Sequence, residues 1–137
     1  MSGFEKAIQK AREWLKEIGE ELGVEDEQKA YAALRASLQA LRDRLTVDEA
    51  AQLAAQLPVL IRGIFYEGWD PSKVPVKARH REEFLDMVRA HLGQWDDLDA
   101  EKAVRATFAV LKRHVSAGEI DDVLSSMPGE VRALLAA

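Results

Sequence analysis

Apolar residues recur along the chain every three or four positions, the spacing that places them on one face of a helix. The first such stripe lies within residues 4–22 and is followed by Gly23, a residue type that commonly ends a helix. A second stripe runs along residues 28–44 and ends at the residue that follows, and its members are Leu34, Leu38, Leu41 and Leu45. No window alternates apolar and polar residues between turn signals, as a half-buried strand would. The pattern therefore predicts an all-α fold.

The pattern of the first half of the chain returns in the second half when 70 is added to each residue number. The matched positions include two glycines, two glutamates and two prolines, namely Gly23 and Gly93, Glu49 and Glu119, and Pro58 and Pro128. No gap is needed, which indicates a tandem duplication with repeats over residues 2–70 and 72–137. We expect two helical lobes of three to four helices each, packed as one compact bundle in a single domain over residues 1–137.

Two corresponding motifs, TVDE at residues 46–49 and SAGE at residues 116–119, fit the capping box that opens a helix. In this motif the first hydroxyl covers a backbone N–H, and the glutamate three positions later reaches back to the first residue. The motif gives Glu49 and Glu119 a structural role, which we prefer to a catalytic one.

Composition narrows the classes of function. The 137 residues include no cysteine, which excludes disulfides, thiolate zinc sites and a cysteine nucleophile. A formal net charge of −5 and a pI of about 5.3 argue against nucleic-acid binding, which needs a basic face. No apolar run approaches the roughly 20 residues that cross a bilayer, and the first residues do not form a signal peptide. We therefore expect a cytoplasmic protein that binds no membrane.

The three histidines do not suggest a metal site. His80 and His91 would lie about 16 Å apart along one helix, too far to share a metal ion. Their counterparts in the first half, and that of His114, are charged residues, namely Lys10, Glu21 and Arg44. We therefore expect all three histidines to be solvated. The acidic run at residues 96–101 lacks the glycine and glutamate spacing of a calcium loop, so no metal is predicted.

The sequence also lacks the patterns of nucleophilic catalysis and of phosphate binding. No serine lies in a nucleophile elbow, and there is no glycine-rich phosphate loop. We predict no catalytic residue and no cofactor, and hence a protein that is not an enzyme. A buried, titrating glutamate or histidine in a pocket would favour the opposite conclusion.

Two duplicated arginine pairs are the remaining shared polar positions: Arg35 with Arg105, and Arg62 with Arg132. Arg35 borders the apolar stripe of its helix. We expect its stem to pack on the core and its head to bond to a carboxylate or to a helix-end carbonyl. A symmetric anion-binding pair between the lobes is the alternative.

The clearest difference between the halves is the segment YEGWDPSKVPVKARHREE at residues 66–83. One interpretation is a linker whose aromatic residues fasten it to the lobes. The other is a site for a small anion or a peptide in the groove between the lobes. Its candidate ligand-binding residues combine cations with aromatic rings: Arg62, Tyr66, Trp69, Lys73, Lys77 and Arg81.

The runs LRDRL, EAAQLAAQLP, IRGIFYEGW and VLKRHVSAGEI resemble a bacterial family catalogued as domain of unknown function 2267. The resemblance covers nearly the whole chain. It implies an all-helical, duplicated bacterial protein, and it implies no activity.

Two hypotheses of function remain. The first is a non-enzymatic interaction module that binds a protein partner, or a second copy of itself, through the groove between the lobes or an exposed helix face. The second is a sensor that holds a small anion or an acidic peptide at the linker residues.

Overall fold

The computed structural model describes residues 1–137 and consists of eight α-helices joined by short connections. In chain order the helices are α1 (Gly3–Leu22), α2 (Glu27–Arg44), α3 (Val47–Ala55), α4 (Val59–Tyr66), α5 (Arg81–Leu92), α6 (Ala100–His114), α7 (Ala117–Ser125) and α8 (Gly129–Ala136). A short 3-10 helix, Pro71–Lys73, lies between α4 and α5. No residue lies in a strand, so the predicted all-α fold is confirmed. None of the helices combines the length and the apolar character needed to span a bilayer.

Local side chains set the ends of these helices. The Glu5 N–H donates to Ser2 Oγ over 3.1 Å at the start of α1. Gly23 ends α1 with φ at +75°, a left-handed conformation that glycine adopts without a Cβ clash. At the start of α3, the Glu49 N–H donates to Thr46 Oγ1 over 3.2 Å, and the Thr46 N–H donates to Glu49 Oε1 over 2.9 Å. The predicted C-cap glycine and the first capping box are therefore confirmed.

The second capping box is only half formed. The Glu119 N–H donates to Ser116 Oγ over 3.2 Å, as predicted. The Ser116 N–H, however, donates to Gln56 Oε1 over 2.8 Å rather than to Glu119. The prediction was wrong on this point, because Gln56 at the end of α3 supplies the acceptor. A second contact joins the other ends of these two helices, since the Ser126 hydroxyl at the end of α7 donates to Glu49 at the start of α3. The end of α3 thus contacts the start of α7, and the end of α7 contacts the start of α3, so the two helices are antiparallel neighbours.

A hydrophobic core draws residues from all eight helices. Helix α2 lies at its centre and packs against α1, α4, α5 and α6. Small buried residues on α2 allow this close approach, and they include Ala30, Ala33, Ala36 and Ala40. The largest fully buried aromatic side chains are Trp14, Phe65, Phe84 and Phe108. Because α2 packs directly on α5 and α6, helices from the two halves of the chain share this core.

The two halves contain corresponding helices, with two differences in length: α2 begins three residues earlier than its counterpart α6, and α1 begins eight residues earlier than its counterpart α5. Helices α3 and α4 coincide residue for residue with α7 and α8 when the numbering is shifted by 70. Helix α5 begins at Arg81, whose counterpart in α1 is Ala11, eight residues after α1 begins. Helix α1 therefore carries two additional turns, residues 3–10, whereas the counterparts of these residues belong to the segment that joins α4 to α5.

Candidate functional site

The two aromatic residues predicted for the linker site, Tyr66 and Trp69, pack against each other at the end of α4. Their ring centroids lie 5.3 Å apart, and the Trp69 backbone N–H donates to the Tyr66 carbonyl over 3.0 Å. Both side chains are partly buried against the core. This packing fastens the start of the linker to the core.

Arg62 interacts with the end of the preceding helix. Its Nε donates to the Ala54 carbonyl over 2.9 Å, and its Nη2 donates to the Leu57 carbonyl over 2.9 Å. The carbonyls in the last turn of α3 have no partner within the helix, so the guanidinium acts as a cap. Arg132 repeats this arrangement at the end of α7, where it donates to the Leu124 and Met127 carbonyls. The second duplicated arginine pair therefore stabilises helix ends.

The remaining predicted cations do not converge. Lys73 is exposed and lies 3.8 Å from Asp70, and Lys77 is exposed without an ion pair. Arg81 pairs with Glu101 of α6 and also lies near Glu82. Among the six predicted residues, the structure brings together Tyr66 and Trp69 and records no contact among the four cations.

A polar network around the buried Arg42 was not predicted. Arg42 is 2% exposed and donates to the Phe65 and Glu67 carbonyls over 3.0 and 2.7 Å, which caps the end of α4. Its Nε donates to Asp43 Oδ1 over 2.8 Å, and His91 Nε2 lies 3.3 Å from Asp43 Oδ2. Burial raises the pKa of Asp43, but the hydrogen bonds with His91 and Arg42 outweigh it and hold that pKa below its usual value.

Arg35 occupies the position that the sequence predicts. Its Nη1 donates to the His91 carbonyl near the end of α5 over 3.1 Å, and its Nε lies 3.4 Å from Glu67. The expected contacts with a helix-end carbonyl and a carboxylate are confirmed. Its counterpart Arg105 forms an ion pair with Glu101 within α6 at 3.1 Å.

One of the three histidines departs from the expected solvated state. His80 is exposed, as expected. His91 is half-buried and near Asp43, whereas His114 stacks on Trp14 with ring centroids 4.8 Å apart. His114 Nε2 also lies 2.7 Å from Glu17 Oε2. The prediction was wrong for His91, because a charged counterpart in one half does not determine which helix packs over the position in the other half. His114 is exposed, as expected, although its ring stacks on Trp14.

The duplicated glutamates differ in their electrostatic environment. Burial raises the pKa of Glu49, but hydrogen bonds from Ser126 and Thr46 outweigh it and hold the pKa below its usual value. Glu119 is buried and accepts no hydrogen bond from a side chain. Burial, together with the nearby carboxylates of Asp122 and Glu49, raises the pKa of Glu119. Because Glu119 lies between helix ends that bond to each other, we attribute this shift to packing.

A groove with a mostly apolar lining lies between α1, α2 and α4, and we call it the apolar groove. It encloses about 340 Å³, and its apolar lining includes Ile8, Ala11, Leu15, Tyr31, Leu60 and Ile64. Tyr31 is 40% exposed and Leu60 is 41% exposed, although both present large side chains. Arg12 and Glu27 border the groove and lie 3.5 Å apart. The groove combines an apolar floor with a charged rim, as binding surfaces for helices do.

The corresponding place in the second half is filled by polar side chains. The counterparts of Ala11, Tyr31 and Leu60 are Arg81, Glu101 and Glu130. Arg81 pairs with Glu101, and its backbone N–H donates to Glu130 Oε2 over 2.8 Å. This bond and the interaction with His80 hold the pKa of Glu130 below its usual value. Leu134 beneath them is 2% exposed, whereas its counterpart Ile64 is half-buried.

The fold is that of an all-helical protein with one open apolar groove. The chain belongs to the family described as "Uncharacterized conserved protein (DUF2267)", whose model matches residues 11–134. The resemblance seen in the sequence is thereby confirmed. No curated protein matches the chain.

Proposed function

We propose that the protein is a non-enzymatic interaction module that binds an amphipathic helix in the apolar groove. The observation that supports it is the exposure of Tyr31 and Leu60 beside Ile8, on a surface that the second half covers with ion pairs. Burying apolar area yields about 25 cal/mol per Å², so a partner that covers these side chains gains affinity from each of them. A helix with apolar residues three and four positions apart matches such a groove.

The test places a photo-crosslinking amino acid in the groove of the protein expressed in its own host. Position 60 reports on the apolar groove, and position 130 is the matched control in the second half. We expect a crosslinked partner at position 60 and none at position 130. Equal crosslinking at both positions, or none at position 60, would contradict the proposal.

A sensor of small anions or acidic peptides is the second candidate. Lys77 supports it, because this residue is exposed and forms no ion pair that would compete with a ligand. Phosphate at low ionic strength is then expected to raise the melting temperature, and Lys77→Glu is expected to abolish the increase. An unchanged melting temperature would exclude this candidate.

We also propose that the halves arose by tandem duplication and that the protein works in the bacterial cytoplasm. The antiparallel pair of α3 and α7 supports the duplication, since corresponding ends make reciprocal contacts through Gln56 and Ser126. Separate expression of residues 2–70 and 72–137 tests whether either half folds alone. Because α2 packs on α5 and α6, we expect neither half to give cooperative unfolding by itself.

A further inference from the structure

We infer that the occupant of the apolar groove is a second copy of this chain, paired through antiparallel α1 helices around a two-fold axis. This inference rests on the proposed function, since it names the partner for the same groove. Three observations support it. Helix α1 has an apolar stripe that continues beyond the groove, and it has charged residues beside that stripe. The second half of the chain has no corresponding surface.

The apolar stripe of α1 extends beyond the body of the protein. Phe4, Ile8, Ala11 and Leu15 are spaced by three or four residues and therefore lie on one helix face. Leu15 is buried, whereas Phe4 at the other end is 85% exposed. The chain thus carries both an open apolar groove and, two turns away, a large apolar side chain without cover.

An antiparallel pairing brings these two features together. If two α1 helices cross between Ile8 and Gln9, Phe4 of each copy lies opposite residues 11–15 of the other copy. These residues form the α1 wall of the groove. One contact of this kind generates the second by symmetry, so each copy fills the groove of the other and the assembly closes as a dimer.

The charges beside the stripe favour the antiparallel orientation. Glu5 and Arg12 lie two turns apart on α1, and both border the space beside Ile8. In the antiparallel pair, Glu5 of each copy lies opposite Arg12 of the other. In a parallel pair the flank that carries Glu5 and Arg12 would lie on opposite sides of the interface in the two copies, so these residues could not form ion pairs between copies. Within its own chain Arg12 has only an exposed ion pair with Glu27, so it is free to take a second acidic neighbour.

The second half offers no corresponding surface. Residues 73–80, the counterparts of the first two turns of α1, are not part of α5. Arg81, Glu101 and Glu130 occupy the place of the groove. Each chain therefore presents one such face, and pairing stops at two copies.

The interface is small. It would bury fewer than ten side chains of each copy, whereas a standard protein interface uses about 20–30 residues a side. We therefore expect a weak dimer whose population rises with protein concentration.

Sedimentation velocity over a range of protein concentrations tests this dimer. We expect Phe4→Glu to weaken dimerisation by about tenfold or more, because a buried phenylalanine is replaced by a charge. Val47→Glu is the matched control, since Val47 is another exposed apolar residue, at the start of α3, and should leave dimerisation unchanged. A wild-type chain that stays monomeric at all concentrations, or a dimer that persists in Phe4→Glu, would overturn the inference.

A charge exchange tests the orientation. Glu5→Arg and Arg12→Glu are each expected to weaken the dimer, because each places like charges opposite each other. The double variant restores opposite charges between copies and should recover dimerisation. The two residues lie about 10 Å apart along their own helix, so recovery requires contact between copies. Failure of the double variant to recover would overturn the antiparallel arrangement.

Because the chain has no cysteine, a single introduced cysteine gives an unambiguous crosslink. Ile8→Cys lies near the proposed axis and should form an intermolecular disulfide under mild oxidation, whereas Val47→Cys should not. The photo-crosslink at position 60 separates the two proposals. A crosslink to a different protein, with a monomeric chain, overturns the dimer and supports the proposed function. An absent crosslink contradicts the proposed function itself.

Discussion

Two regions at corresponding places in the two halves have opposite chemistry. The apolar groove lies between α1, α2 and α4, and the matching surface between α5, α6 and α8 is covered by ion pairs. Three matched positions account for the difference: Ala11 and Arg81, Tyr31 and Glu101, and Leu60 and Glu130. These positions lie on corresponding helices of the two halves, so the helical fold is compatible with either an apolar or a charged surface here.

If the protein is the interaction module proposed above, the difference between these regions identifies the apolar groove as the surface where its partner would bind. Exposed ion pairs stabilise a fold by only about 0–1 kcal/mol, so the polar cover of the second half contributes little stability. In that half Leu134 is almost fully buried. The first half leaves Ile64 half-buried and Tyr31 exposed. The open apolar surface is the feature of the first half on which the proposed interaction rests.

The largest expected effect on the unfolding free energy comes from substitutions in the core, where corresponding positions of the two halves are both buried. Trp14 and its counterpart Phe84 are both fully buried. Changing either to alanine removes a large apolar side chain and leaves a cavity, so each variant should lose about 3–5 kcal/mol of unfolding free energy. Urea denaturation measures the unfolding free energy of each variant. The control Phe4→Ala, on the same helix as Trp14, should change the unfolding free energy by less than about 0.5 kcal/mol. If only one of the two core variants loses stability, the halves do not contribute equally to the core.

A smaller effect is expected at a glycine that only the first half requires. A Cβ on Gly19 would lie 2.9 Å from the Val24 carbonyl oxygen, which is backbone and cannot move aside freely. Gly19→Ala should therefore lower the unfolding free energy by about 1–3 kcal/mol. Its counterpart Arg89 is exposed and forms surface ion pairs with Asp86 and Glu82. Arg89→Ala should cost less than about 1 kcal/mol in the same measurement, and equal losses would contradict the close approach at Gly19.

The duplicated glutamates should respond with opposite signs. Glu49→Gln removes a carboxylate that accepts hydrogen bonds and should lower the unfolding free energy at neutral pH by about 0.5–1.5 kcal/mol. Glu119→Gln removes a charge that burial and nearby carboxylates disfavour, and should raise it by about 0.5 kcal/mol. Thermal denaturation of both variants beside the wild type checks the signs.

The pH dependence follows from the pKa shifts of the two residues. The pKa of Glu49 is lowered in the folded state, so its stabilisation is present above the ordinary glutamate pKa and is lost as pH falls through the lowered value. The pKa of Glu119 is raised, so folding is favoured by its protonated form below the ordinary pKa, and this contribution is lost as pH rises through the raised value. Each variant should therefore approach the wild type as the pH falls. A constant difference across the pH range would assign both effects to packing instead.

The features of the fold that depend on the local spacing of residues could be predicted from the sequence. Helical periodicity locates the main helices, and cap residues such as Gly23 and Thr46 locate two of their ends. The role of Arg35 is predictable for the same reason, because it borders the apolar stripe of its own helix. Ser116 shows the limit, since its N–H bonds to Gln56 from another helix, and no local pattern reports that neighbour.

The candidate site could not be predicted from the sequence, because it depends on how the helices pack against one another. Arg42 lies four residues after Leu38 and three before Leu45, on their helix face, and this position was the available signal of its burial. The apolar groove requires Tyr31 and Leu60 from different helices to meet without being covered. An apolar stripe indicates that a helix face will be buried, but it does not say whether the cover comes from the same chain.

The smallest effect on stability, and the sharpest test of the comparison, comes from making the first half resemble the second. The triple variant Ala11→Arg, Tyr31→Glu and Leu60→Glu introduces the residues that close the surface in the second half. Because the changed side chains are exposed or half-buried, we expect the unfolding free energy to change by less than about 1 kcal/mol. The same variant should lose both dimerisation in sedimentation velocity and crosslinking from groove residues such as Ile64. The matched variant Arg81→Ala, Glu101→Tyr and Glu130→Leu should expose a second apolar surface but remain a dimer, because the second half has no helical counterpart of the first two turns of α1 through which to pair. If the first variant still dimerises, the difference between the halves does not determine binding.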